Sequence, residues 1–266
     1  MRAMVLCLTI GCATHPSSRD APVDIADTGQ DEEMDGRCGA LPVLVEAGRD
    51  GRRVCASLTG ATIEVYPDAE PLVVQQIEQA LLNLSAAPSF APVLADTTIL
   101  VSSPGATLAQ LPDLDGPIYA GLDWAQIEGL AMYWGLDGAG YAPTLAIRHD
   151  SVERWDLGIG HELLHLILWD LEPSVRAEAL ALRNAMLAPD GVVAPGANEH
   201  ELFTYFSQWT LAGYGSIIAE QEPELYDWLI ETLGEASLTD RGTSTAEAEY
   251  AIDLLLNWFR TGAFQR

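Results

Sequence analysis

The pentapeptide His161-Glu162-Leu163-Leu164-His165 constrains the fold of this chain more than any other segment. At about 3.6 residues per helical turn, positions four apart lie on one face, so a helix here presents both imidazoles on the same side. The flanking residues are apolar on nearly every face, which indicates a buried helix. Because burying an unpaired polar group costs roughly 1–3 kcal/mol, the two histidines and the glutamate need partners inside the protein.

A zinc ion is a suitable partner for this set of side chains. Two imidazoles one turn apart bind one Zn²⁺ and leave coordination positions free. The adjacent Glu162 can take a proton from a metal-activated water that attacks a carbonyl, and can return it to the leaving amine. The spacing is that of the short zinc-peptidase signature. The sequence therefore predicts His161 and His165 as zinc ligands and Glu162 as general base.

The residues around the signature also predict how its helix is packed. Asp150 and Glu153 have the spacing of a capping box, which predicts a helix that begins near Ser151. Gly158 and Gly160 fall inside that helix, where each costs about 1 kcal/mol relative to alanine. Both glycines therefore indicate a close backbone approach at this part of the helix.

A third zinc ligand must come from another segment, and two zinc-peptidase families do not fit. A metzincin would have glycine and histidine where this chain has Leu168 and Leu171. An aminopeptidase-like glutamate would fall on the position of Asn184. The best candidate is the segment 198–206, which opens a second helix after the proline- and glycine-rich loop 188–197.

A helix that begins Asn-Glu-x-Glu and continues into aromatic residues, downstream of HExxH, resembles the anthrax lethal factor-like peptidases. The similarity covers roughly residues 145–235 and implies a zincin fold with a glutamate as third ligand, which corresponds to Glu201. That family has a catalytic tyrosine shortly before this helix, whereas residues 193–195 here read Val-Ala-Pro. Tyr205, one turn after Glu201, is the candidate for stabilising the transition state, with a place in the core as its alternative role.

Glu199 and His200 compete with Glu201 for the role of third ligand. Helical residues two apart point about 200° away from each other, so Glu199 and Glu201 cannot both face one metal ion. The family register and the aromatic stripe that follows favour Glu201. The alternative role of Glu201 is in a capping box with Asn198. His200 is predicted to be solvated or to cap the helix.

The composition favours one compact catalytic domain with a peptide partner. The chain has 266 residues, of which 48% are hydrophobic. Its 39 acidic and 13 basic residues give a net charge of -26, which argues against nucleic acid or anionic membrane surfaces as partners. The simplest role of this charge is solubility. The predicted partner is a protein or peptide substrate.

The N-terminus has the features of a bacterial lipoprotein signal, residues 1–12. An apolar run leads to Gly11 and then to Cys12, which would carry the lipid and anchor an exported protein facing the periplasm or outer membrane. A plain signal peptide or a misplaced start codon is the alternative. Residues 13–36 are rich in proline, serine and acidic residues, which predicts a disordered tether.

Two cysteines are predicted to form a disulfide. Cys7 would leave with the signal and Cys12 would be lipidated, so Cys38 and Cys55 remain as a pair. They flank a predicted hairpin whose turn lies at 48–51, and an oxidising compartment would let them join.

The hydrophobic periodicity predicts an α+β fold in residues 37–266. The catalytic domain would have a sheet-plus-helix lobe at about 37–170 and a helical lobe at 171–266, with a cleft between them. The predicted strands are 62–66, 98–102 and a short one through Leu145 and Ile147, and the predicted helices are 71–86, 175–186, one opened by Pro223, and 245–260.

Two functions follow from these features, and a third class of protein stays open. The first is a zinc metalloendopeptidase, which the presence of Glu162 favours. The second is a binding lipoprotein that keeps the zincin fold without turnover, which the missing upstream tyrosine favours. The third is a helical domain without metal, in which Glu201 would point away from His161 and His165.

Overall fold

A computed structural model describes residues 38–45, 51–111, 129–135, 141–150, 155–193, 196–234, 236–238 and 243–262. The predicted signal and tether lie outside these ranges, as does the predicted helix start near Ser151. No helix within the described ranges is long and apolar enough to cross a membrane.

The strands of the described chain form a six-stranded sheet in the order β1-β2-β3-β4-β6-β5. The strands are β1 (Val43–Val45), β2 (Arg53–Ala56), β3 (Thr62–Val65), β4 (Thr98–Val101), β5 (Gly129–Gly135) and β6 (Tyr141–Ile147). The centre of the sheet is parallel, since β4 pairs in parallel with both β3 and β6. The pairs β1/β2, β2/β3 and β5/β6 are antiparallel.

The burial of each strand follows from its place in the sheet. In β2 and β3 buried and half-buried residues alternate, as expected for a strand with one face on the core. In β4 the last three residues are all buried, which is typical of a central parallel strand covered on both faces.

The helices pack around this sheet and around one another. They are α1 (Pro71–Ser85), α2 (Ala91–Ala95), α3 (Trp155–Asp170), α4 (Pro173–Met186), α5 (Glu199–Trp209), α6 (Gly215–Gln221), α7 (Pro223–Leu233) and α8 (Thr245–Thr261). Proline occupies the first turn of α1, α4 and α7, where its missing N–H costs no hydrogen bond. A capping box formed by Ser244 and Glu247 starts α8.

The helix α3 is the centre of the fold. It contacts α1, the strands β5 and β6, and α5. Its leucines and isoleucine from position 163 to 168 are buried, as the sequence predicts for a helix that is apolar all round. The α+β class is therefore confirmed, and the signature helix lies between the sheet and the C-terminal helices.

The two glycines of α3 differ in their surroundings. A Cβ at Gly160 would lie 2.5 Å from Cδ1 of Leu238, so the predicted close approach is confirmed there. The same prediction is wrong for Gly158, because no described atom lies within 4 Å of a Cβ at that position. Gly158 is exposed on the helix. No contact among the described residues explains why this helical position holds a glycine.

The predicted disulfide between Cys38 and Cys55 is confirmed. Cys55 lies in β2 opposite Val43 of β1, so the bridge joins the chain before the hairpin to its second strand. Both cysteines are buried. The bridge therefore fixes the start of the described chain to the sheet.

Candidate metal centre

Three of the predicted site residues meet where α3 packs against α5. His161 and His165 lie one turn apart on α3, and Glu201 lies in the first turn of α5. Their exposed fractions are 2%, 0% and 2%. One ligand atom from each residue lies within 4.8 Å of the other two. The structure thus brings together two imidazoles and one carboxylate in the interior.

The separations between these atoms suit a small divalent ion. The Nε2 atoms of His161 and His165 are 3.2 Å apart. The Oε2 atom of Glu201 lies 3.6 Å from Nε2 of His161, and its Oε1 atom lies 3.7 Å from Nε2 of His165. Ligand atoms around a tetrahedral zinc ion are about 3.3 Å apart, given bonds of roughly 2.0–2.1 Å. The donor set and its spacing could therefore hold a metal ion.

The start of α5 determines which glutamate reaches the histidines. The side chain of Asn198 accepts a hydrogen bond of 3.0 Å from the backbone N–H of Glu201 and so caps the helix. The N–H of Asn198 itself donates to the carbonyl of Gly196. The Glu201 carboxylate faces the imidazoles, while Oε1 of the partly exposed Glu199 lies 4.0 Å from Nε2 of His200. Asn198 is a cap, and Glu201 is the residue beside both histidines.

The loop that leads into α5 is held by Arg183 of α4. Its Nε donates a hydrogen bond of 2.9 Å to the carbonyl of Ala197, the residue before the helix cap. The guanidinium is mostly buried. Sequence reasoning missed Arg183, because its contact depends on how α4 packs beside α5.

His200 is buried, and the prediction of a solvated histidine is wrong. Its ring centroid lies 5.8 Å from that of Trp169. Burial lowers the pKa of His200, and the opposing charges of Glu199 and Glu201 do not restore it. Burial thus favours the neutral form of this ring, which packs beside Trp169.

A second side chain of α5, that of Gln208, contacts His161 at the ring nitrogen Nδ1. The Oε1 atom of Gln208 lies 3.0 Å from Nδ1 of His161, and both residues are buried. Gln208 is two helical turns beyond Glu201 and therefore shares its face. Sequence reasoning missed Gln208, although its position seven residues after Glu201 was a usable signal.

The Tyr205 ring lies against the same histidine. Its centroid is 4.4 Å from that of His161, with the planes tilted by 56°, and 6.2 Å from that of Trp258. Tyr205 is partly buried and packs on the core. These contacts support the alternative role of Tyr205 as a packing residue. A role for its hydroxyl in the reaction stays a prediction.

Glu162 lies against the first residue of β5. A Cβ at Gly129 would be 2.6 Å from Cγ of Glu162 and 2.8 Å from its Oε1. The exposed fraction of Glu162 is 2%. Its negative charge favours the protonated form of His161 and so helps to raise the pKa of that imidazole.

The two histidines bind protons differently in the protein. Burial opposes protonation of His161, but the nearby carboxylates of Glu201 and Glu162 and the amide of Gln208 outweigh it and raise its pKa. Burial and the neighbouring charge of His161 hold the pKa of His165 well below its ordinary value. Of the two imidazoles, that of His161 is therefore the one that binds a proton more readily.

Comparison with family models, with curated proteins and with solved structures finds no match to this chain. The likeness to the lethal factor-like peptidases therefore depends on the motifs alone.

Proposed function

We propose that this protein is a zinc-dependent metallopeptidase that hydrolyses peptide bonds of a protein or peptide substrate. The observation that carries the proposal is the buried set of His161, His165 and Glu201, with Glu162 next to the first histidine. The Oε2 atom of Glu201 is buried and has no hydrogen-bond partner among the described residues. A buried carboxylate oxygen is stabilised by a bound cation, so the set fits a metal ion.

In this proposal His161, His165 and Glu201 would hold zinc, which would act as a Lewis acid toward the scissile carbonyl and the attacking water. Glu162 accepts one proton from the attacking water as the new bond from oxygen to the carbonyl carbon forms. The same carboxyl group then donates this proton to the amide nitrogen as the peptide C–N bond breaks. Tyr205 is the candidate that stabilises the oxyanion.

The position of β5 supports an extended peptide as substrate. Within the described sheet β5 is an edge strand, since it pairs with β6 alone. The outer edge of such a strand can accept an extended peptide through backbone hydrogen bonds. Gly129 begins β5 and lies beside Glu162, so a peptide along this edge would pass near the general base.

We also propose that the enzyme is located outside the cytoplasm. A lipid attached to Cys12 would anchor it to the membrane. The disulfide between Cys38 and Cys55 supports the location, because such bonds persist in oxidising compartments. Mass spectrometry of membrane-fraction protein should find a lipid adduct on Cys12, and Cys12→Ser should remove it. Recovery of unmodified wild-type protein in soluble form would rule out the anchor.

The test of the proposed activity is metal analysis of the purified protein followed by digestion of an unbiased peptide library. Wild-type protein should contain about one zinc per chain and cleave peptides. Glu162→Gln should keep the zinc and lose activity by about 10²- to 10⁴-fold, because it removes the base without changing a ligand.

The alternative outcomes separate the remaining classes of protein. Zinc without cleavage in either protein would indicate a binding module with a zincin-like site. Absence of a bound metal would refute the metal centre. Equal activity in wild-type and Glu162→Gln protein would refute the role of Glu162.

A further inference from the structure

The amide of Gln208 determines which nitrogen of His161 carries a proton. An amide oxygen only accepts hydrogen bonds, so the contact of 3.0 Å between Oε1 of Gln208 and Nδ1 of His161 requires a proton on Nδ1. In the neutral ring this leaves the lone pair on Nε2. That atom faces Nε2 of His165 and Oε2 of Glu201. The opposite tautomer would direct a lone pair at the amide oxygen and an N–H at the other ligands.

His165 has no equivalent support in the described part of the protein. Its Nδ1 atom is buried and has no hydrogen-bond partner among those residues. Its ring is completely buried, with the ring centroid of Trp169 6.3 Å away. Packing therefore orients His165, whereas a specific hydrogen bond orients His161.

The helix α5 links this hydrogen bond to the third ligand. Glu201 lies in its first turn and Gln208 lies two turns later on the same face. Both contacts are made to one imidazole, that of His161. The packing of α5 on α3 therefore has two effects. It places Glu201, the third ligand, beside the histidines, and it orients the ring of His161, the first ligand.

We infer that Gln208 is a positioning residue that acts through His161, by holding the Nε2 lone pair of this imidazole toward the bound metal. The inference rests on the metal site proposed above. Partners of this kind typically change metal affinity by about 10- to 100-fold when they are removed. Gln208 should thus control zinc affinity without touching zinc or substrate.

The experiment measures the zinc dissociation constant of the full chain by competition with a chromophoric chelator. Gln208→Leu keeps a similar volume and removes the acceptor, so zinc should bind about 10- to 100-fold more weakly. Gln208→Glu keeps an acceptor at the same position, and its affinity should return to within a few-fold of the wild type. The matched control is Ser207→Ala, whose hydroxyl is buried on the same helix and has no hydrogen-bond partner among the described residues.

A second measurement separates positioning from general packing. In the wild type, long-range ¹H–¹⁵N NMR spectra should show an Nδ1–H of His161 that is protected from exchange, and Gln208→Leu should lose this protection. Equal zinc affinity in wild-type and Gln208→Leu protein would overturn the inference. Equal weakening in all three variants would also overturn it, since packing would then be the cause. Failure of the wild type to bind zinc would instead refute the proposed metal centre and its positioning residue together.

Discussion

The carboxylate of Glu162 occupies space that a side chain at Gly129 would need. A Cβ at that glycine would lie 2.6 Å from Cγ of Glu162 and 2.8 Å from Oε1. Gly129 begins the edge strand β5, and Glu162 follows His161 on α3. Glu162, the proposed general base, can therefore occupy its position only because residue 129 of the edge strand has no side chain.

Gly129→Ala should lower the turnover number while zinc content stays at the wild-type level. The added methyl group displaces the Glu162 carboxylate, and a shift of about 1 Å in a catalytic group can cost roughly 10²-fold in rate. Neither residue is a proposed ligand, so metal binding should persist. Steady-state cleavage of a library-derived peptide, together with metal analysis, provides the measurement.

Gly158→Ala is the matched control for this substitution. Gly158 lies on α3 near His161, and no described atom is within 4 Å of a Cβ there. Alanine should leave the turnover number unchanged and stabilise the helix by up to about 1 kcal/mol. An unchanged turnover number in Gly129→Ala, or an equal loss in both variants, would contradict the proposed coupling between β5 and Glu162.

Glu201→Ala should lose zinc, whereas Glu199→Ala should retain it. Removing Glu201 leaves two protein ligands, and zinc sites normally need three or four. Glu199 lies 4.0 Å from His200 and is partly exposed, so its removal changes no ligand. Chelator competition gives the two affinities. Wild-type affinity in Glu201→Ala with weak binding in Glu199→Ala would reverse the proposed assignment.

Features that depend on the spacing or number of particular residues could be predicted from the sequence. The spacing of His161 and His165 and the apolar residues between them predict the buried helix α3, because a helix places positions four apart on one face. The pair Cys38 and Cys55 followed from setting aside the two cysteines of the predicted signal and lipid site. In both cases the residues themselves carry the signal.

Features that depend on packing between distant segments were missed. The strand β5 pairs with β6 in an antiparallel register that no local pattern specifies. The difference between Gly158 and Gly160 depends on Leu238, which approaches only one of them. The contact between Gln208 and His161 likewise requires the packing of α5 on α3. Periodicity predicts each helix but not the neighbours of its side chains.

Removal of the disulfide should destabilise the protein. Cys38 and Cys55 are 17 positions apart, and closing a loop of this size contributes about 3 kcal/mol in the chain-entropy model. Cys38→Ser with Cys55→Ser should therefore unfold at a lower denaturant midpoint. Because neither cysteine is a proposed ligand, zinc stoichiometry of the folded protein should not change. Equal unfolding midpoints for the double variant and the wild type would contradict this estimate.

Zinc affinity should rise with pH by about tenfold per unit across the interval between the pKa values of His165 and His161. The raised pKa of His161 lies above its ordinary value of 6.5, and the lowered pKa of His165 lies well below it. Within this interval the metal-free site binds one proton, on His161, which zinc must displace. Above the pKa of His161 the affinity should level off, because no histidine proton remains to compete. Calorimetry in buffers of different ionisation enthalpy counts the protons released at each pH. Release of two protons, or of none, near pH 6.5 would contradict the assignment of the single proton to His161.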